Sequence, residues 1–182
     1  MTNRRRARDH RLLDTLGNLT ATAFSGSAWR VVRKDRDPMQ PSSVQGRWNP
    51  GTFDVLYASM DRDGACAEVY FHLSRQPVFP SQLQHSLFEF EVRTRETLRL
   101  ASVDELVALG VEEDRYTEIL YERTQEIGDA AHFMGFDGLI VPSARWNCLN
   151  LVLFTDALEP NDVTAQEVSD LNWDEGRDRA KS

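Results

Sequence analysis

Short apolar runs alternate with amphipathic stretches along the chain, and the two periodicities separate into strands and helices. Leu12, Leu13, Leu16 and Leu19 at helical spacing predict a helix over His10–Leu19, weakened by Gly17. Trp29, Val31 and Val32 predict a short strand, Ala28–Arg33. Residues 34–54, crowded with Pro, Gly, Asp and Ser, predict a long loop of the kind that often carries function. VLYAS (Val55–Ser59) predicts a strand, followed by a helix over Asp63–Leu73 that Asp63 can cap. Strands are expected over Ser86–Val92 and Thr97–Ala101, then a helix from Ser102 or Val103 to Leu109. Ile119, Leu120, Ile127, Ala131 and Met134 predict a longer helix over Arg115–Met134, ended by Gly135 and Gly138. Leu139–Val141 and Leu151–Phe154 complete the set as buried strands. The expected fold is α+β, a single domain of mixed central sheets flanked by helices.

Composition narrows this reading. The chain has 182 residues, 41% of them hydrophobic, enough for one core of ordinary size. No repeat is visible at periods of solenoids or propellers. No run approaches the length of a membrane helix, and the N-terminal arginines precede no apolar signal segment, so neither membrane nor secreted character is expected. Two cysteines, Cys66 and Cys148, are too few for a disulfide framework, which suits a reducing cytoplasm.

The net charge of −8 argues against a protein that coats nucleic acid. Its distribution is uneven. Residues 1–11 hold five arginines against Asp9, whereas residues 156–182 carry eight acidic side chains against three basic ones. Residues 1–27 are read as a basic arm and helix and residues 156–182 as an acidic tail, both ends largely solvated. A sharper reading makes the arm a contact for nucleic acid or an acidic partner.

Phosphate loops of both nucleotide-binding types are missing, as are a serine nucleophile elbow and any His/Cys spacing typical of zinc, so no metal is expected. Four places pair capable side chains with a loop or an element end. In Gly46-Arg47-Trp48-Asn49, the glycine allows close backbone approach and Arg47 offers a planar fork for phosphate beside an indole. Tyr57 lies in the VLYAS strand. Glu68 follows Ala65, Cys66 and Ala67, an apolar setting unusual for a helix glutamate. Ser143 follows Pro142 at a strand end.

In this order, GRWN, LYAS, the glutamate helix ending FHL, and VPSA before the asparagine-bearing strand NCLNLVLF, preceded by Trp29-Arg30-Val31, the chain resembles the RES-domain family over residues 28–155. The resemblance implies a fold similar to ADP-ribosyltransferase toxins and activity on NAD+ as substrate. It also implies a cognate antitoxin with an Xre-like domain. Carried over, Arg30 and Arg47 would hold phosphates and ribose, with Trp48 and Asn49 beside them. Tyr57 or Trp48 would stack on nicotinamide, Glu68 would act at the ribose, and Ser143 would order the pocket.

Cleaving the nicotinamide–ribose bond creates an oxocarbenium-like ribose, which a carboxylate stabilises as charge develops. Water, phosphate or a protein could then accept the ADP-ribose; the protein that such an enzyme of this family modifies is a phosphoribosyl pyrophosphate synthetase. The second carboxylate that protein-directed transferases place two residues earlier is replaced by Cys66, which favours a small acceptor. A non-enzymatic binding module, with the basic arm as its contact, is the alternative of another class.

Overall fold

A computed structural model describes residues 7–78 and 83–173. Arg4, Arg5 and Arg6 of the basic arm, and residues 174–182 of the tail, lie outside the described residues. The elements run α1 (His10–Gly17), β1 (Thr22–Arg33), β2 (Val55–Ser59), α2 (Arg62–Ser74), β3 (His85–Arg99), α3 (Val103–Ala108), α4 (Glu122–Phe133), β4 (Gly138–Pro142), β5 (Leu149–Phe154) and β6 (Val163–Leu171). Single 3₁₀ turns fall at Glu113–Arg115 and Thr155–Ala157. The expected α+β class and single domain are found.

The strands form one sheet in the order β1-β2-β5-β4-β3-β6, and β1 also pairs with β3. β3 is the strand that folds the sheet over. Its first half lies antiparallel between β1 and β6, and its last residues, Thr97 to Arg99, run parallel to β4. Strands β2, β4 and β5 are consequently covered on both faces. Val55, Leu139, Val141, Val152 and Phe154 pack against α1, α3 and α4, while Leu56, Ala58, Ile140, Leu151 and Leu153 pack against Ala28, Phe90 and Val92 of the opposing strands. Burial on both sides explains why these short strands read as continuous apolar runs. The helix α2 covers a third cluster with Val31, Leu87 and Trp173.

Four expectations are corrected. The pair of strands expected over 86–101 is one strand, β3, long enough to serve both layers. Asp61, rather than Asp63, caps α2, its carboxylate accepting from the Gly64 amide at 2.9 Å. The helix expected from Arg115 begins only at Glu122, because main-chain carbonyls between them are turned towards arginine side chains and Ile119 and Leu120 stay 49% and 55% exposed. The segment read as solvated acidic tail contributes β6, paired with β3 from Val92 to His85, and the buried Trp173. Most of its positions are exposed along an edge strand and it carries Glu167 and Asp170, which hides the strand from a reading of charge alone. Among the described residues, no helix is long and apolar enough to cross a membrane.

The described part of the arm is docked. Leu12 and Leu16 of α1 enter the helix-side core, and Arg8 pairs with Asp129 of α4 at 2.6 Å while lying over the Phe133 ring.

Trp173 ties β6 to β3 through its indole N–H, which donates to Nδ1 of His85 at 2.9 Å. A ring that accepts there is neutral, and burial holds His85 below its usual 6.5. The unfolded chain therefore takes up a proton near that value which the folded chain refuses, so stability should fall as pH drops below 6.5. Urea midpoints at pH 7.5 and 5.5 test this: the wild type should lose stability on acidification, and His85→Gln should lose less. Equal losses would remove His85 as a source of the pH dependence.

Candidate functional site

The face of β5 that carries Phe154 and Val152 into the helix-side core turns polar one step outward, at Asn150. Its neighbour β2 does the same in register, from Val55 through Tyr57 to Ser59, with Tyr57 opposite Val152 and Ser59 opposite Asn150. Here the helix layer gives way to a cavity of about 370 Å³, lined among others by Arg30, Arg47, Tyr57, Glu68, His72 and Arg145.

Glu68 enters from α2. Its Oε1 accepts from Ser143 Oγ at 2.8 Å and from Asn150 Nδ2 at 3.0 Å. Ser143 is itself fixed by the turn after β4: its amide donates to the Cys148 carbonyl, and its Oγ accepts from the amides of Arg145 and Trp146. A flipped Asn150 amide would set oxygen against oxygen, so the carboxylate decides its orientation. That leaves Asn150 Oδ1 buried without a partner among the described residues. Two neutral donors, one from the turn after β4 and one from β5, thus hold one carboxylate oxygen.

The turn Gly46–Asn49 forms the opposite wall. The Tyr57 hydroxyl donates to Asn49 Oδ1 at 2.8 Å and accepts from the Trp48 amide at 3.1 Å, while Asn49 Nδ2 donates to the Val44 carbonyl at 3.0 Å. A side chain at Gly46 would meet both Asn49 Oδ1 and the Tyr57 hydroxyl at 2.8 Å, which explains the glycine. Gln125 of α4 donates to the Gly46 carbonyl at 2.7 Å, and Gly128 lies against the Trp48 carbonyl, where a Cβ would come within 1.8 Å. Burial raises the Tyr57 phenol above its usual range, so it remains a neutral donor.

Trp48 and Asn49 are scaffold in this arrangement. The indole is 2% exposed and plugs the helix-side core, leaving no open face for a stacking ligand. The Asn49 side chain is fully buried and both ends of its amide are engaged.

The cavity is cationic. Arg30, Arg47 and Arg145 face a single carboxylate, and none of the three is ion-paired among the described residues. Arg47 donates to the carbonyls of Tyr116 and Glu118 and lies between the rings of Tyr116 and Tyr121. Arg145 lies over the Phe71 ring and donates to the Thr117 carbonyl. Arg30 donates to the Gln40 carbonyl, and its Nη1 is buried without a partner among the described residues. Burial pulls Arg30 down to about 10, and burial together with the charge of Arg47 lowers Arg145, yet both remain cations at neutral pH. Burial also lowers His72, against the opposing pull of Glu68 four residues earlier. Such a pocket draws an anion and offers a carboxylate to its hydroxyl groups. No group of three or more His, Cys, Asp and Glu able to hold a metal occurs among the described residues.

Of the residues singled out in the sequence, Glu68 and Ser143 are in direct contact, and Arg30, Arg47 and Tyr57 line the same cavity. Asn150, Arg145 and His72 were missed. Alternation along β5 could have pointed to Asn150, and helical spacing from Glu68 to His72. Nothing local marks Arg145.

A carboxylate held by neutral donors thus stands in an arginine-lined cavity opened between helices and a folded-over sheet. The chain belongs to the RES domain family, whose profile matches residues 27–174. Among solved structures, the fold matches the crystal structure of the M. tuberculosis MbcT–MbcA toxin–antitoxin complex with a TM-score of 0.83. At 20% sequence identity, the match covers 97% of this chain and 100% of that one. No curated protein matches the chain.

Tyr57→Phe keeps the ring but strands Asn49 Oδ1 and the Trp48 amide, and should cost about 1–3 kcal/mol of stability, read by urea denaturation. Gly128→Ala forces the turn off α4 and should cost about 3 kcal/mol, lowering Tm by roughly 10 °C. A Gly128→Ala protein as stable as wild type would show that this contact yields freely.

Proposed function

We propose that this protein is a toxin enzyme that consumes NAD+ by breaking the bond between nicotinamide and ribose. The observation that carries the reading is Glu68, held by Ser143 and Asn150 beside three arginines that have no carboxylate partner among the described residues. Arg47, Arg30 and Arg145 bind the diphosphate and its ribose, and Tyr57 lines the nicotinamide side.

The chemistry asks for one well-placed negative charge. As the C1′–N bond lengthens, its electron pair leaves with nicotinamide, which departs neutral and needs no general acid. The ribose gains oxocarbenium character, and Glu68, hydrogen-bonded to the 2′-hydroxyl, stabilises a charge that the ground state lacks. Ser143 and Asn150 occupy Oε1 and restrict the carboxylate to one orientation, so little reorganisation accompanies the reaction. Attack at C1′ by water gives ADP-ribose and a proton; attack by phosphate gives the 1″-phosphate of ADP-ribose. Transfer to a protein acceptor is the second reading, and Cys66, standing where a second carboxylate would help such an acceptor, weighs against it.

An enzyme that destroys NAD+ endangers the cell that makes it, so we place it in an intracellular pair with an Xre-like antitoxin that covers the cavity. Exposed apolar side chains next to cavity-lining residues support such a cover. Val44 is 73% exposed beside Gln45, Leu120 55% beside Tyr121, and Trp146 45% beside Arg145. The MbcT–MbcA structure is itself a toxin–antitoxin complex.

The test is NAD+ loss by the purified chain, with and without phosphate, and with products identified by mass. Glu68→Gln should slow turnover by about 10²–10⁴-fold, and Arg47→Ala should weaken NAD+ binding. NAD+ surviving under every condition would refute hydrolysis and phosphorolysis. Label from tagged NAD+ appearing on a protein would then favour the transferase.

A further inference from the structure

Arg47 and Arg145 line the cavity beside Glu68, yet both direct their donors at one short piece of main chain. Arg47 Nη1 donates to the Tyr116 carbonyl at 2.6 Å and Nη2 to the Glu118 carbonyl at 3.1 Å; Arg145 Nη1 donates to the Thr117 carbonyl between them. Three consecutive carbonyls therefore face two guanidinium groups. They follow the 3₁₀ turn Glu113–Arg115, at a helical end where carbonyls lack intrahelical partners.

We propose that these carbonyls stand in for a diphosphate, and that the dinucleotide's own diphosphate displaces Thr117–Leu120 to bind Arg47 and Arg145. The inference rests on the reading of the cavity as an NAD+ site and adds to it a gate that the diphosphate itself opens.

Three observations support it. Carbonyl oxygens carry partial charges, whereas phosphate oxygens carry full ones and can take both donors of a guanidinium fork, so a diphosphate attracts Arg47 and Arg145 more strongly than the carbonyls do. Neither guanidinium has a carboxylate partner among the described residues to compete with an incoming anion. The segment itself is weakly anchored: Ile119 and Leu120 are 49% and 55% exposed, while Tyr116, 5% exposed with its hydroxyl on the Pro142 carbonyl, forms a fixed pivot.

Space points the same way. The cavity beside Glu68 measures about 370 Å³, near the lower end of the roughly 300–1,000 Å³ of ligand pockets. A groove of about 990 Å³ adjoins it, sharing Gln45, Arg47 and Tyr121 as walls and lined also by Ile119 and Leu120. Moving Thr117–Leu120 joins the two. The nicotinamide ribose then sits at Glu68, the diphosphate at the two arginines, and the second nucleoside in the groove.

Hydrogen exchange on the full chain, with and without inorganic pyrophosphate or ADP-ribose, tests the gate. Both ligands should bind saturably and speed amide exchange across 117–121 about ten-fold, leaving the strands unchanged. Arg145→Lys keeps the charge but loses the fork, and should weaken pyrophosphate binding about ten-fold. Absence of pyrophosphate binding, or binding with 117–121 exchanging as before, overturns the proposal; the wild-type measurement decides this even if the variant folds poorly. NAD+ turnover in the same preparation separates the two readings. Turnover with an unmoved segment removes the gate alone. Surviving NAD+ with a segment opened by pyrophosphate removes the proposed reaction and retains the anion site.

Discussion

The Trp48 carbonyl rests on α4 at Gly128, with no room for a side chain between them, and the position of Arg47 follows from that contact. With Trp48 driven into the core and its carbonyl against the helix, the residue before it must project the other way, into the cavity. Gln125 fixes the Gly46 carbonyl from the same helix, and Tyr57 and Asn49 fix the turn from within. Arg8 and α1 in turn brace α4 from behind. A guanidinium aimed by a core contact, rather than by its own flexible stem, loses little freedom when it meets a ligand.

The second requirement comes from the sheet. Burying β2, β4 and β5 on both faces leaves their ends as the place where polar side chains can stand at a smaller desolvation cost than inside the core. Ser143, at the end of β4, and Asn150, at the start of β5, reach one oxygen of Glu68 because the two strands pair there, Pro142 opposite Leu149 and Val141 opposite Asn150. Holding a carboxylate with neutral donors preserves its charge for the ligand, which a direct ion pair with an arginine would neutralise. This is the physical reason three guanidinium groups can surround Glu68 while bonding to main-chain carbonyls instead.

Such a cavity also sets the relation between the protein and its surroundings. A chain of net charge −8 that gathers in one cleft three arginines without carboxylate partners among the described residues focuses a positive field there. Anions are favoured there over cations.

Much of this could be read in the residues themselves. Periodicity located most strands and helices, because local patterns report which face of an element is buried, and GRWN, LYAS, Glu68 and Ser143 named residues that the fold gathers around one cavity. Local patterns do not report partners. β6 escaped because an edge strand with one solvated face reads as charged tail, and the start of α4 was misplaced because Ile119 and Leu120 fit a helical stripe while arginines distant in sequence hold their neighbours' carbonyls. Trp48 looked like a stacking surface until packing against α4 showed it to be core. Asn150 and Arg145 entered the site only through strand register and the turn after β4. Residue types and spacing were determined by the sequence alone; which donors converge on Glu68, and which arginines bond to carbonyls around its cavity, was decided by contacts between residues dozens of positions apart.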